Sequence, residues 1–163
     1  MRSERVKGLG VVSIRAIDDA YPRPKSASVY DNWGDFAPEA AEMKVSRWLV
    51  ELTNDVGGVI PVGDLSAHAA WYGPTPGSRA MNIGISLVEE YRGRGIGAVA
   101  QKLLATELHE QGIVRVEAST DITNVPEQRS LEKAGFSYEG TLRKAQSRAD
   151  GLHDLQVWAH TQN

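Results

Sequence analysis

Three glycines in six positions, Arg92-Gly93-Arg94-Gly95-Ile96-Gly97, mark the place where this chain can grip an anion. Residues without a Cβ let backbone amides approach a ligand closely, and the two arginines add positive charge. After the turn, Ile96, Ala100, Leu103, Leu104 and Leu108 fall on one helical stripe, with Gly112 placed as its C-cap. A helix that starts here presents unpaired N–H groups and the positive end of its dipole, and a phosphate or diphosphate is the natural occupant. A dinucleotide turn asks instead for Gly-x-Gly-x-x-Gly with an acid about 20 residues on. Here the spacing is Gly-x-Gly-x-Gly, and Glu117 falls on a later strand. A P-loop needs Gly-Lys-Ser/Thr, which is absent. On this stretch alone, a purely structural glycine turn and a nucleotide-binding α/β domain both stay open.

Apolar periodicity assigns the elements that position the turn. Residues 81–88 alternate around Ile83, Ile85 and Leu87, a strand period. Upstream, residues 10–17 read as a first strand, and 46–53 with 59–72 as a hairpin around the turn at 54–58. Residues 18–35 read mostly as loop, with Tyr30, Trp33 and Phe36 suited to lining a pocket or a core. Residues 38–44 read as a short helix with proline in its first turn. Downstream, residues 113–120 form a strand expected to lie parallel to 81–88 through a helical crossover. Asn124 or Val125 opens a second helix that Gly135 stops. Residues 136–142 and 152–159 close the chain as two strands around Asp150-Gly151.

Composition narrows the function classes. The 163 residues fit one domain, 1–163, with 41% hydrophobic and 24% charged side chains. With 18 basic and 21 acidic residues the net charge is -3, which gives no reason to expect nucleic acid as a partner. Neither a membrane span nor a signal-peptide core is visible, so a cytoplasmic protein is expected. The absence of cysteine rules out a cysteine nucleophile and thiolate metal sites, and the 4 histidines have no metal-ligand spacing. No metal is expected.

A second landmark stands downstream: Asn124-Val-Pro-Glu-Gln-Arg-Ser-Leu131-Glu132-Lys133-Ala134-Gly135-Phe136. Together with the Arg92, Gly95 and Gly97 pattern, this segment resembles the GNAT superfamily of N-acyltransferases. Glu139-Gly140, Leu142-Arg143-Lys144-Ala145 and Asp150-Gly151 with Asp154 resemble the closing hairpin of its RimJ/RimL-like branch. Characterised members of that branch acetylate α-amino groups of ribosomal proteins. The resemblance covers roughly residues 47–160. It implies an α/β (α+β) GNAT fold, with a mixed central sheet of about six or seven strands, flanked by helices and splayed at the acyl-CoA site.

What the resemblance implies about the site goes residue by residue. Acetyl-CoA (coenzyme A) would be held by backbone amides of Gly93, Arg94, Gly95, Ile96, Gly97 and Ala98, with Arg92 bracing the loop. Ile85, Ser86 and Leu87 match the strand end beside the pantetheine arm, where an amide near Leu87 would polarise the thioester carbonyl. Asn124 matches the asparagine near that arm and also suits a helix cap. Leu131 stands where many members carry a tyrosine acid, Glu127 where the branch often has serine, and Gln146 where some members have a glutamate base. A thiol of pKa near 8.5 leaves tolerably as thiolate without a dedicated acid.

Two candidates remain for the base. Glu117 is a charge amid Val114, Val116 and Ala118 and must face something polar. His68 lies in an apolar strand arm, and its neutral form accepts a proton. Asp121, His153 and Asp154 read as loop or hairpin braces. The expected function is direct transfer of an acetyl group from acetyl-CoA to a primary amine, on a peptide N-terminus or a small molecule. The rival is a catalytically silent acyl-CoA sensor or partner subunit. A homodimer is expected to be possible through the exposed hairpin.

Overall fold

A computed structural model of the protein describes residues 2–25, 28–31 and 44–162. The short helix expected at 38–44, apart from Lys44, and the aromatic residues Trp33 and Phe36 lie outside the described residues. The elements run β1 (Arg2–Val6), β2 (Gly10–Ile17), β3 (Val45–Thr53), β4 (Val59–Trp71), β5 (Arg79–Leu87), α1 (Ile96–Glu110), β6 (Arg115–Asp121), α2 (Val125–Lys133), β7 (Ser137–Arg148) and β8 (Gly151–Thr161). Short 3-10 turns occupy Val29–Asp31, Pro76–Ser78 and Glu89–Tyr91.

The 8 strands of the described residues form one sheet in the order β1-β2-β3-β4-β5-β6-β8-β7. Its ladders are antiparallel except between β5 and β6, which run parallel with α1 as the crossover. Expectation and structure differ in the strand count, which exceeds six or seven because β1 joins the edge of β2. Arg2-Ser3-Glu4-Arg5-Val6 has no apolar alternation. Main-chain pairing holds it there, joined by two ion pairs to α1, Arg2 with Glu110 and Glu4 with Lys102 (2.9 Å). The closing strands also run longer than their apolar pattern, because β7 continues through two register shifts, at Tyr138/Gly140 and Leu142/Gln146.

The two sheet faces differ in chemistry. Val12, Ile14, Val50, Leu65, Ile83, Val116 and Ala118 face α1 and α2, where Ile96, Ala100, Leu104, Leu108 and Leu131 complete the core. Alternation along the strands sends Asp64, Ser66, His68, Asn82, Ser86, Glu117, Ser119 and Asp121 to the opposite, polar face. The chain after β2 makes contacts there. Arg23 approaches Asp64 at 3.6 Å, and the Tyr30 hydroxyl donates to the Thr123 carbonyl at 3.2 Å, just beyond β6.

Candidate active site

The parallel ladder between β5 and β6 starts at Met81↔Val116 and ends at Ile83↔Ala118. β4, in contrast, follows β5 all the way to Gly63↔Leu87. Residues 84–87 therefore run on past the last pairing with β6, and the sheet opens there. Val88 N–H donates to the Val62 carbonyl of β4 at 2.9 Å. By strand alternation, the amides of Leu87 and Ile85 point the other way, toward the opening.

The glycine turn closes over the tip of that opening. Gly93 (φ 70) and Gly95 (φ 82) are left-handed, a conformation that L side chains adopt at a penalty. A Cβ on either would meet nothing within 4 Å, so backbone conformation and not crowding requires glycine there. Gly95 is the N-cap of α1 and offers no side chain. The first main-chain bond of the helix runs from Val99 N–H to the Gly95 carbonyl at 3.2 Å. The amides of Ile96, Gly97 and Ala98 precede it and form the positive end of the helix. Arg92 Nε donates to the Leu87 carbonyl at 2.9 Å, tying the turn to the strand end.

On the polar face, three side chains stand in one row across adjacent strands: His68 on β4, Asn82 on β5 and Glu117 on β6. The row lies at the closed end of the opening, where the β5–β6 pairing stops. Glu117 is only 2% exposed. The Tyr72 hydroxyl donates to both of its carboxylate oxygens, at 2.8 and 2.9 Å, and Arg115 lies 3.2 Å away. Arg115 also binds Glu139 at 2.5 Å. The polar surroundings expected for Glu117 are thus supplied by Tyr72 and Arg115, which the sequence reading had not connected to it. Tyr72 is 45 positions away, and its ring belongs to the loop that follows β4.

Farther along the polar face, Asp121 is held by Arg148 (2.8 Å) and His153 (2.9 Å), and Gln146 accepts from Arg148 Nε at 2.8 Å. Burial raises the proton affinity of Asp121, but hydrogen bonds from Thr123 and His153 and the charge of Arg148 outweigh it and bring its pKa down to about 2. Asp154 accepts from the Lys144 amide at 2.7 Å. These residues brace the hairpin.

The first turns of α1 and α2 meet at a polar seam. Asn124 caps α2, its side-chain oxygen accepting from the Glu127 amide at 3.4 Å. A Cβ on Gly97 would stand 3.0 Å from Ser130 Oγ and within 3.8 Å of both Leu87 and Ile85 side chains, so α2, α1 and the strand end converge at one point. Burial pushes the Glu127 carboxyl up to about 7, with the hydrogen bond from Gln101 pulling the other way. Gln101 was a missed residue. Its signal is a polar side chain four positions after Gly97 and three before Leu104, inside the apolar stripe. Leu131, 0% exposed, belongs to the core.

A mixed sheet opened beside a helix N-terminus, with a glycine turn at the tip of one strand, is the architecture of the GNAT acyltransferases. The chain matches the acetyltransferase (GNAT) domain over residues 9–137 and belongs to that family. No curated protein sequence matches it. Among solved structures it is similar to RimL, a ribosomal L7/L12 α-N-protein acetyltransferase in complex with coenzyme A. That match has 24% identity and a TM-score of 0.59, over 72% of this chain and 62% of that one. It is also similar to RimJ of Mycobacterium smegmatis in complex with CoA-disulfide, at 22% identity and a TM-score of 0.60, over 72% and 53% of the two chains. The microcin C7 self-immunity acetyltransferase MccE, in complex with acetyl-CoA and AMP, gives 20% and 0.60 over 73% and 62%. At these identities the likeness is one of fold. The chain spans less than two thirds of the length of each of these three proteins.

Proposed function

We propose that the protein is an acetyl-CoA-dependent N-acetyltransferase that moves an acetyl group directly onto a primary amine. The observation that carries this reading is the end of the β5–β6 ladder at Ile83↔Ala118, directly below the glycine turn. Residues 84–87 extend about 13 Å at ~3.3 Å per residue. The pantetheine arm, about a dozen bonds from diphosphate to sulfur, has a similar reach at ~3.5 Å per three bonds. A diphosphate on the amides of Ile96, Gly97 and Ala98 would bring the thioester down to the His68, Asn82 and Glu117 row. Of the two amides facing the opening, that of Ile85 lies nearer this level than that of Leu87 and is the better placed oxyanion donor.

In the transfer, the amine nitrogen forms a C–N bond with the carbonyl carbon while the C–S bond breaks and its electron pair leaves on sulfur. Glu117 accepts the proton that the amine releases, and His68 is the alternative acceptor. Without cysteine in the chain, no cysteine acyl-enzyme can intervene. Catalysis rests on proximity and carbonyl polarisation. The carboxylates of the polar face are matched by arginines, Asp64 by Arg23 and Arg47, Glu117 by Arg115 and Asp121 by Arg148. This balance suits a singly charged acceptor better than a polyamine, and an α-amine of pKa about 8 needs little help to lose its proton.

Leu131 and Gln146 favour a second reading, an acyl-CoA-binding protein without turnover. Incubating the protein with acetyl-CoA and a panel of peptide N-termini and small amines, while following free thiol, separates the two. Thiol release above donor hydrolysis is expected with an α-amine, whereas binding without release for every amine supports the silent form. A cytoplasmic location and a homodimer through the β7–β8 hairpin, where Tyr138, Leu142 and Leu152 are exposed, belong to the same proposal. Light scattering checks the dimer.

A further inference from the structure

The seam between α1 and α2 holds polar groups that the transfer itself does not use. Gly97 and Gln101, one turn apart on α1, face Glu127 and Ser130, one turn apart on α2. Gln101 is 1% exposed, and its Nε2 donates to Glu127 Oε1. Two buried oxygens of the seam, Gln101 Oε1 and Ser130 Oγ, have no hydrogen-bond partner among the described residues. A carboxylate only accepts hydrogen bonds, whereas a neutral carboxyl group carries one O–H donor. The Ser130 hydroxyl can donate its own proton, but Gln101 Oε1 only accepts, and an orphaned buried acceptor is costly, so the Gln101–Glu127 pair is better matched by a protonated Glu127. The seam also borders the donor cleft, because Ser130 Oγ and the Leu87 and Ile85 side chains surround the same point beside Gly97.

We propose that acyl-CoA binding is coupled to protonation of Glu127, the donor binding tightly to the neutral carboxyl form and drawing a proton onto it. This rests on the donor reading above. Two effects act in the same direction. A diphosphate at the N-terminus of α1 places negative charge about one helical turn, roughly 6 Å along the axis, from the level of Gln101, and a donor covering the cleft strips water from a half-buried side chain.

The groups around Glu127 do not offset this. From α1 it meets neutral Gln101, and on α2 it has Asn124 and Ser130 as neighbours. The strand end offers the apolar Ile85 and Leu87. In the loop, Arg92 is tied to the Leu87 carbonyl and Arg94 lies over the Tyr91 ring. From β6 and β7, the strands that pack on α2, Asp121 is held by Arg148 and Glu139 by Arg115. Burial raises its pKa to about 7 against the opposing hydrogen bond from Gln101.

Calorimetric titration of the whole chain with coenzyme A and with 3′-dephospho-coenzyme A, in buffers of different ionisation enthalpy, tests the coupling. Wild type is expected to take up as much as one proton per ligand bound above neutral pH, and to lose about tenfold in affinity between about pH 6 and 8. Glu127→Gln is expected to lose that uptake and to bind about tenfold more tightly than wild type at about pH 8. Equal pH slopes for the two proteins overturn the coupling. If Glu127→Gln fails to fold, wild type with the dephospho ligand decides, and zero proton uptake overturns the proposal. Failure of either ligand to bind at any pH overturns the donor reading instead.

Discussion

Glu117 carries the sharpest prediction at the scale of single residues. If it takes the amine proton, Glu117→Gln lowers kcat by about 10²–10⁴-fold while the donor Kd stays within twofold. Saturation kinetics beside calorimetry separates the two constants. The hydroxyl of Tyr72 donates to this carboxylate and holds it in place. Tyr72→Phe should therefore lower kcat while the donor Kd stays unchanged, read by the same two measurements. An unchanged kcat means that another group is the base. Nothing in the primary structure joins residues 72 and 117; only the register of β4, β5 and β6 brings them together. That is why the polar environment of Glu117 was foreseeable in kind but not in its members.

Among the elements, the junction of β5 and α1 is the one that sequence defines most completely. The switch from period 2 to period 3.6, with glycines at the change, located the strand, the turn and the helix. α2 was legible for the same kind of reason, with an asparagine cap, a proline in the first turn and a glycine stop. What stayed hidden rests on main-chain pairing and on surface ion pairs rather than on an apolar pattern. β1 pairs through its backbone without apolar alternation, and β7 runs past Leu142 because bulges absorb the break in its pattern. The turn itself can be tested by conformational strain. Gly95→Ala should destabilise the fold by about 1–2 kcal/mol, the penalty for a left-handed L residue, and weaken donor binding more than tenfold. Gly57 has a similar φ of 86° and equally open space, but lies in the β3–β4 turn. Gly57→Ala should show the same loss of Tm with unchanged donor affinity. A parallel fall in affinity for both variants would refute the cradle.

For the whole molecule, titrating groups at three places shape stability against pH. Near the end of α1, His109 Nδ1 bonds the Ile113 carbonyl at 2.6 Å, and its Nε2 meets His160 Nδ1 at 2.8 Å. Burial first, then the neighbouring His109, depresses the pKa of His160. A depressed folded value means full stability above the unfolded pKa of about 6.5 and a loss as pH falls below it. Asp121 adds a second acid-side loss, about 2 kcal/mol, developed as pH drops from roughly 3.8 to 2. Glu127 has the opposite sign, since its raised pKa makes stability decline as pH climbs from about 4.5 through 7. Thermal unfolding should therefore show stability rising from about pH 2 to 4 through Asp121, and Glu127→Gln should remove the decline contributed between about pH 4.5 and 7 while leaving the rise below about pH 4 intact. Unchanged behaviour between about pH 4.5 and 7 would place the titration elsewhere.

The order of strands has a consequence for how the molecule comes into being. β8, drawn from residues 151–161, lies between β6 and β7. A nascent chain that has emerged only as far as residue 150 already owns the glycine turn, α1, α2 and every residue of the polar row. It still lacks the rib against which the far wall of the cleft is pinned, and β7 has nothing to join. Glycine turn and cleft wall are thus completed at different moments of synthesis, and the wall must wait for a segment made after β7 that threads inward beside β6.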